Sequence, residues 1–554
     1  MDSWLPKSFI ALRDYNRQTF AADAIAGVTV GLVALPLAMA FAIASGLPPE
    51  SGIYCAMVAG FLTSAFGGST TAIGGPTGAF VVVVAAIVVE HGINGLFLCT
   101  MMAGMILVAL GATGVGSAIK YIPRPVIAGF TNGIAILIAS TQLRDFFGLQ
   151  IPEMPGEFIG RMRAVFESAA TLSVPATLVG IATVLTIVLT PRVLRRVPGM
   201  ILAMFGVTIA AFAMGLPIET IGTRFGGVPS GLPRLHLPAL QFSVLPDLLV
   251  PAMTVAMLGA IESLLAATVA DRMVGSRHNP NTELVAQGIA NICSPLFGGL
   301  PATGALARTA ASIRSGARTP VAGMIHALTL LLILLFAAPL AAQVPLAVLA
   351  GLLIVVAYNM AGWHEIPALL KQTKADILVW IATLTLTVIA DLTVAVEVGM
   401  VLAALLFIRR VANTTSIARV TGKLIDEGRL HTLQGLTIPD YAAVYRIHGP
   451  FLFGTTDKLD RIGDHISSLP PVVILRLRHV PAMDASGLQA LEDLADQLKD
   501  SGRTLVLCGA RDQPAHLMQR AEFHEHVGEG NVCANIRDAL TRAEQIAGAS
   551  VLRN

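Results

Sequence analysis

Between Ala24 and Gly46 the chain runs for 23 residues without one charged side chain, and apolar stretches of similar length recur throughout its first 410 residues. A helix needs about 20 apolar residues to cross the hydrocarbon core of a bilayer, so each stretch reads as a candidate span. Seven lie near 24–46, 50–68, 76–91, 95–116, 125–141, 174–190 and 198–216. Seven more lie near 247–270, 281–298, 302–314, 319–342, 345–362, 374–391 and 394–410. The third and tenth are too short to cross alone. Charged residues make up only 13% of the chain, where soluble domains carry roughly a quarter. They are unevenly spread: residues 1–410 hold 22 Lys+Arg and 18 Asp+Glu, and residues 411–554 hold 15 and 17. The chain is therefore a membrane part followed by a water-soluble part. The amphipathic N-terminus, with Lys7, Arg13 and Arg17, lacks a small-residue cleavage site, so the first apolar stretch reads as a retained span.

Lys and Arg concentrate in cytoplasmic loops. With the N-terminus inside, fourteen spans place sixteen cations on the cytoplasmic side: Lys7, Arg13, Arg17, Lys120, Arg124, Arg192, Arg195, Arg196, Arg272, Arg277, Arg314, Arg318, Lys371, Lys374, Arg409 and Arg410. Five fall outside: Arg144, Arg161, Arg163, Arg224 and Arg234. Removing one span would scramble the alternation, so the bias supports the count and puts both ends in the cytoplasm.

The two sets of seven share local patterns. Phe66-Gly67-Gly68 precedes Pro76-Thr77-Gly78-Ala79, with Val126-Ile127-Ala128-Gly129 beyond. Phe297-Gly298-Gly299 precedes Pro301-Ala302-Thr303-Gly304-Ala305, with Val348-Leu349-Ala350-Gly351 beyond. An odd number of spans per repeat makes the copies opposite in membrane orientation, the arrangement of inverted-repeat carriers. Each Gly/Pro stretch breaks a helix at membrane depth, where unpaired backbone is tolerated only inside protein or beside a watered cavity. A half-helix then starts at each break, at spans 3 and 10. Its free N–H groups carry the positive end of the helix dipole and suit an anion. Gly78 and Gly304 would let a substrate approach the backbone closely; the alternative is ordinary packing glycine.

Two charges sit deep in apolar spans. Glu262 interrupts Ala256–Leu265 mid-helix, where a carboxylate costs a few kcal/mol, and shares a face with Gly259 and Ala266. It is the candidate proton-loading group, with a structural ion pair as the alternative. Arg308 follows the second break by one turn and would add attraction for an anion; snorkelling or pairing with Glu262 is the alternative. Glu90, Asp391 and Glu397 fall near span ends and read as interfacial. His91 and His326 read as satisfied packing residues.

No His/Cys/Asp/Glu cluster has metal-site spacing, and no GxxxxGK[ST] loop is present, so neither a metal nor direct ATP drive is expected. Five cysteines form no CxxC pair. Near-zero net charge without a basic-aromatic patch argues against nucleic acid. The chain reads as a transporter and not an enzyme.

The segments Asp23–Gly31, Leu35–Ala42 and Gly46–Pro49, the paired broken-helix motifs, the Glu262 segment and Asn281–Gly299 together resemble the SulP family of anion transporters over essentially the whole chain. The resemblance implies a fourteen-span carrier of two inverted seven-span repeats, core and gate subdomains, homodimers and an elevator-like movement. It implies an anion site at Phe41, Thr77, Gly78, Ala79, Gly304, Ala305, Leu306 and Arg308. Many members have Gln where this chain has Leu37. Sodium-coupled bicarbonate members use hydroxyls at positions matching Ala266 and Leu306 here, so a proton through Glu262 is the expected coupling ion and sodium the less expected. The region Ala256–Asp271 with Leu37 is most similar to the bacterial C4-dicarboxylate branch. Sulfate or a C4-dicarboxylate such as succinate or fumarate is the expected cargo, in a bacterial inner membrane. Alternatives are a bicarbonate/chloride exchanger, an anion channel or an anion sensor.

After a linker at 411–436, residues 437–554 alternate strands at Tyr441–Ile447, Val472–Leu477 and Thr504–Cys508 with helices near 454–468, 485–500, 513–524 and 534–547, an α/β pattern. The pattern, with Met483–Leu488 at a strand-to-helix turn, resembles the STAS domain of anti-sigma-factor antagonists. That resemblance implies a phosphorylatable Ser486 and a cytosolic protein partner; the alternative is that Asp484 and Ser486 cap the helix. The membrane part is expected over 1–410, with repeats at about 20–216 and 246–410.

Overall fold

The computed structural model describes residues 4–116, 123–151, 154–194, 198–229, 231–239, 243–390, 392–420, 436–463 and 465–551. Lys120, Arg195, Arg196, Asp391 and most of the 411–436 linker lie outside them. The chain forms two compact units, Met1–Met400 and Val401–Asn554.

The first unit is helical. The first repeat comprises α1 (Arg17–Ala44), α2 (Pro49–Phe66), β1 (Gly74–Gly75), α3 (Gly78–Ala112), α4 (Arg124–Phe147), α5 (Val174–Val193) and α6 (Gly199–Ala213). The second comprises α7 (Leu245–Val274), α8 (Pro280–Leu296), β2 (Thr303–Gly304), α9 (Leu306–Arg314), α10 (Val321–Ala341), α11 (Leu346–Met360), α12 (Lys374–Ile389) and α13 (Leu392–Thr414), which runs across the division between the units. Each segment read as a span carries a helix. The third and fourth are joined as α3 but separated at Gly92, whose φ of 71° and ψ of −178° break the helix. Only glycine takes such a backbone without strain.

Seven of the described helices are long and apolar enough to cross a membrane: α1, α3, α4, α5, α7, α10 and the run Leu346–Leu369. Large apolar side chains such as Phe336 and Val89, each more than 80% exposed, fit a lipid environment rather than water.

Packing between the repeats is symmetric. The contact of α1 with α10 has its counterpart in α7 with α3; α8 with α3 mirrors α2 with α10; α12 with α4 mirrors α5 with α11. Glycines make these contacts close. A Cβ on Gly104 of α3 would lie 2.7 Å from the Gly288 carbonyl oxygen of α8, and one on Gly288 would lie 2.6 Å from the Gly104 oxygen. With no hydrophobic driving force between helices in lipid, such backbone approach sets their association. Strands β1 and β2 pair antiparallel, Gly74 with Gly304 and Gly75 with Thr303, so the two breaks meet.

The second unit holds a five-stranded sheet in the order β3 (Ser416–Arg419), β4 (Ala442–His448), β5 (Val472–His479), β6 (Thr504–Cys508), β7 (Val532–Cys533), antiparallel at β3–β4 and parallel elsewhere. Side chains alternate across the sheet. Val473, Leu475 and Leu477 pack with Leu488, Leu491 and Leu498 of α14 (Ala485–Asp500) and with Met518 of α15 (Asp512–Arg520). Val472, Ile474 and Val506 pack with Ala539 and Ala543 of α16 (Ile536–Val551). The short edge strands β3 and β7 add to the three strands expected from the sequence.

Replacing Gly288 by Val forces α8 off α3, and overpacking of this kind costs about 1–3 kcal/mol or more. The expected result is a lower thermal transition and a smaller monodisperse fraction on size-exclusion chromatography in detergent, whereas Gly206→Ala, with only the tip of Leu202 within 4 Å, leaves both unchanged.

Candidate functional site

The β1–β2 pair brings two helix starts to one place. Thr77, with extended backbone, precedes α3, and Ala305 precedes α9; no side chain caps either helix. The first N–H groups of an α-helix have no intrahelical partner. Two uncapped, positively polarised termini therefore begin within a few residues of the same pair.

Two charged side chains of the second repeat converge on consecutive residues of the first. The Thr77 hydroxyl donates to Glu262 Oε2 at 2.9 Å. Arg308, buried, donates through Nη2 to the Pro76 carbonyl oxygen. Its Nη1 has no hydrogen-bond partner and lies 2.5 Å from where a Cβ on Gly75 would sit. At a φ of +145°, Gly75 is glycine for its backbone as well as for this approach. Among the described residues Glu262 forms no ion pair, with Arg308 or with any other cation, and Arg308 is buried.

The other expected residues gather here to different degrees. Phe41 and Ala79 are buried, and a Cβ on Gly78 would lie 3.3 Å from Phe41 Cε1. Ala305 is buried and its N–H donates to the Ile73 carbonyl at 2.8 Å, while Leu306 is 48% exposed. Gly259 and Ala266 do flank Glu262 as the helical spacing requires: Ala266 touches the second break and Gly259 neighbours Phe80. Neighbouring protein also constrains the two glycines: a Cβ on Gly78 would meet the tip of the Ile138 side chain at 2.7 Å, and one on Gly304 would meet the Ser263 backbone at 2.9 Å. Leu37 lies in the apolar core.

Several polar residues that sequence reasoning passed over hold the breaks. Asn291 accepts from the Ala302 N–H and donates to the Ala302 and Gln287 carbonyls, each at 2.8 Å. Ser263 accepts from the Gly304 N–H at 3.0 Å. The Thr303 hydroxyl donates to the Gly259 carbonyl, so the 2.8 Å contact between the Ser263 and Thr303 hydroxyls has Ser263 as donor. Two further carboxylates are buried, each near the start of its helix. Glu283 accepts from the Gly68 and Ser69 N–H groups at 2.9 and 3.1 Å and from Gln287 at 3.2 Å. Asp23 accepts from the Arg318 and Thr319 N–H groups, from the Thr319 hydroxyl and from Tyr15. His326 is buried with neither ring nitrogen bonded, so it is not the satisfied packing residue expected. Glu90 and Glu397 are exposed.

In the second unit Asp484 caps α14, accepting from the Gly487 N–H at 2.8 Å and from the Phe453 N–H at 3.0 Å. Ser486 is exposed and takes no part in the cap.

Comparison with known proteins follows this division. The sequence profile of the sulfate permease family matches residues 20–383, and that of the STAS domain matches residues 436–539. A candidate sulfate transporter, YvdB, of Bacillus subtilis (strain 168) is 39% identical over 93% of this chain and 96% of its own. The solved transmembrane domain of a cyanobacterium bicarbonate transporter, BicA, is 35% identical, covering 70% of this chain and 98% of that one with a TM-score of 0.63. The murine Solute Carrier 26 family member A9 anion transporter, solved in an inward-facing state, shares the fold at a TM-score of 0.87 with 18% identity, covering 98% of this chain and 94% of that one.

Replacing Asn291 by Ala strands the Ala302 N–H and C=O in the interior, at a cost of about 1–3 kcal/mol for each group. A fall in the unfolding temperature of the detergent-solubilised protein is expected, together with loss of saturable anion uptake, because the second break loses its brace.

Proposed function

The chain belongs to the sulfate permease family, and on that premise we propose that it is a secondary active carrier moving small oxyanions across the bacterial inner membrane. The observation that carries this reading is the convergence of Glu262 and Arg308 on Thr77 and Pro76. A fixed positive charge and two uncapped helix termini attract an anion, while an ionisable carboxylate inside the membrane part marks a proton pathway. In this scheme Thr77, Gly78, Ala79, Gly304, Ala305 and Leu306 surround the anion with Phe41 alongside, Arg308 supplies attraction, and Glu262 carries the coupling proton.

Symport with a proton is favoured over sodium because Ala266 and Leu306 offer no hydroxyl, and among the described residues the only hydroxyl on Glu262 is that of Thr77. Sulfate is the first cargo to test. A C4-dicarboxylate presents similar carboxylate oxygens, and bicarbonate is named for the BicA relative. The rest of the proposal follows the family: an elevator-like movement of the site, a homodimer, both termini in the cytoplasm, a membrane part ending near residue 410, and a STAS domain that meets a cytosolic protein partner. Ser486, exposed in the first turn of α14, is the proposed phosphorylation site; a phosphate at a helix N-terminus is electrostatically tolerable.

Proteoliposomes carrying only this protein test the reading. Labelled sulfate is expected to accumulate against its gradient when an inward proton gradient is imposed; passive equilibration would point to a channel, and no flux to a sensor. Competition by unlabelled succinate and bicarbonate ranks the cargo.

Glu262→Gln is expected to abolish proton-driven accumulation while anion exchange continues, and accumulation at the wild-type level would remove Glu262 from the coupling step. Arg308→Gln is expected to weaken anion affinity by about tenfold or more, from a charge-assisted hydrogen bond of ~1.5–3 kcal/mol, read as a raised KM for exchange.

A further inference from the structure

In the second unit the α16 face of the sheet changes character along β4 and β5. Val444, Val472, Ile474 and Val506 make an apolar floor. Toward the C-terminal ends of the strands the same face carries Arg446 and Arg476, which are direct register partners; beyond them, where the register shifts, comes the exposed Arg478. His448 and His479 follow, paired in register with ring centroids 5.4 Å apart.

Among the described residues these cations have no counter-charge. Arg476 is 4% exposed, and its Nη1 has no hydrogen-bond partner. No described carboxylate forms an ion pair with Arg446, Arg476 or Arg478. Two acids of the same unit are engaged elsewhere: Asp484 with the Gly487 and Phe453 N–H groups, Asp538 with the Asn535 amide. Cys508, the β6 register partner of Arg476, is held neutral, since burial pushes its thiol up to about 12. His479 is pushed below its usual range by burial and by His448 and the three arginines. A guanidinium without a partner in a protein interior is costly, and the cluster grades outward from buried Arg476 through half-buried Arg446 to exposed Arg478. In α/β sheets the crevice beyond the carboxyl ends of parallel strands is where ligands bind.

We propose that the C-terminal ends of β4 and β5 form a second oxyanion site, in which Arg476, Arg446 and Arg478 hold a sulfate or phosphate group through charge-assisted bonds. The site belongs wholly to the soluble unit and is independent of the transport reading. Its ligand is a tetrahedral oxyanion, either the free ion or the phosphate of an ester; the planar arginine fork suits both.

Titration of the full-length protein in detergent with inorganic phosphate, followed by calorimetry, tests this. Saturable binding is expected in the wild type and in Arg308→Gln, with at least tenfold weaker binding in Arg476→Gln. Should Arg476→Gln fail to fold, the Arg446→Gln/Arg478→Gln double variant, altered at the more exposed positions, serves in its place. ATP in a parallel titration separates the sources: tighter binding than inorganic phosphate, lost in the same variants, assigns an ester, and equal or weaker binding assigns the free ion. Unchanged phosphate affinity in a folded Arg476→Gln or double variant overturns the site, as does complete loss of binding in Arg308→Gln.

Discussion

Backbone that leaves a helix at membrane depth has no water to bond with and must be satisfied inside the protein; the arrangement of the membrane unit follows from that. Each break supplies half of the solution for the other. Gly74–Gly75 pairs with Thr303–Gly304, Ala305 donates to Ile73, and Ile73 donates in turn to the Thr309 hydroxyl. Asn291 braces Ala302 and Ser263 braces Gly304. The first N–H groups of α3 and α9 are left without side-chain caps, which makes the unmet polarity of the ribbon positive and local.

Much of this was legible in the sequence because the bilayer imposes a strong pattern. Span length, the paired Gly/Pro interruptions and the isolation of Glu262 and Arg308 in apolar runs are one-dimensional signals, and each corresponds to a structural feature. What could not be read was pairing across the chain. Glu283 sits at the start of a helix behind Asn279-Pro280, where an acid is ordinary helix-start chemistry, yet its partners Gly68 and Ser69 lie more than 200 residues earlier. Gly78 and Gly304 were visible as glycines. Only the positions of Ile138 and Ser263 show that neighbouring protein also constrains them.

The soluble unit shows the same limit at shorter range. Its central strands announce themselves by runs of Val, Ile and Leu, but β3 has four residues and β7 two, too few for a period of two to register. Asp484 was readable as a helix cap, and its second bond, to Phe453, was not. Arg446, Arg476 and Arg478 look like ordinary polar positions within β-strand patterns. The parallel register is what sets Arg446 beside Arg476, where no described carboxylate forms an ion pair with them.

Because Thr77 meets Glu262 185 residues later in the chain, and Pro76 meets Arg308 after 232, the order of synthesis matters. At about 5–20 residues per second, roughly 10 to 45 seconds separate insertion of the first break from arrival of the groups that complete it. Throughout that interval β1 is an orphan strand and the start of α3 lacks its neighbour, both already in the membrane. The polar backbone of the first break therefore waits for partners that only the second repeat supplies.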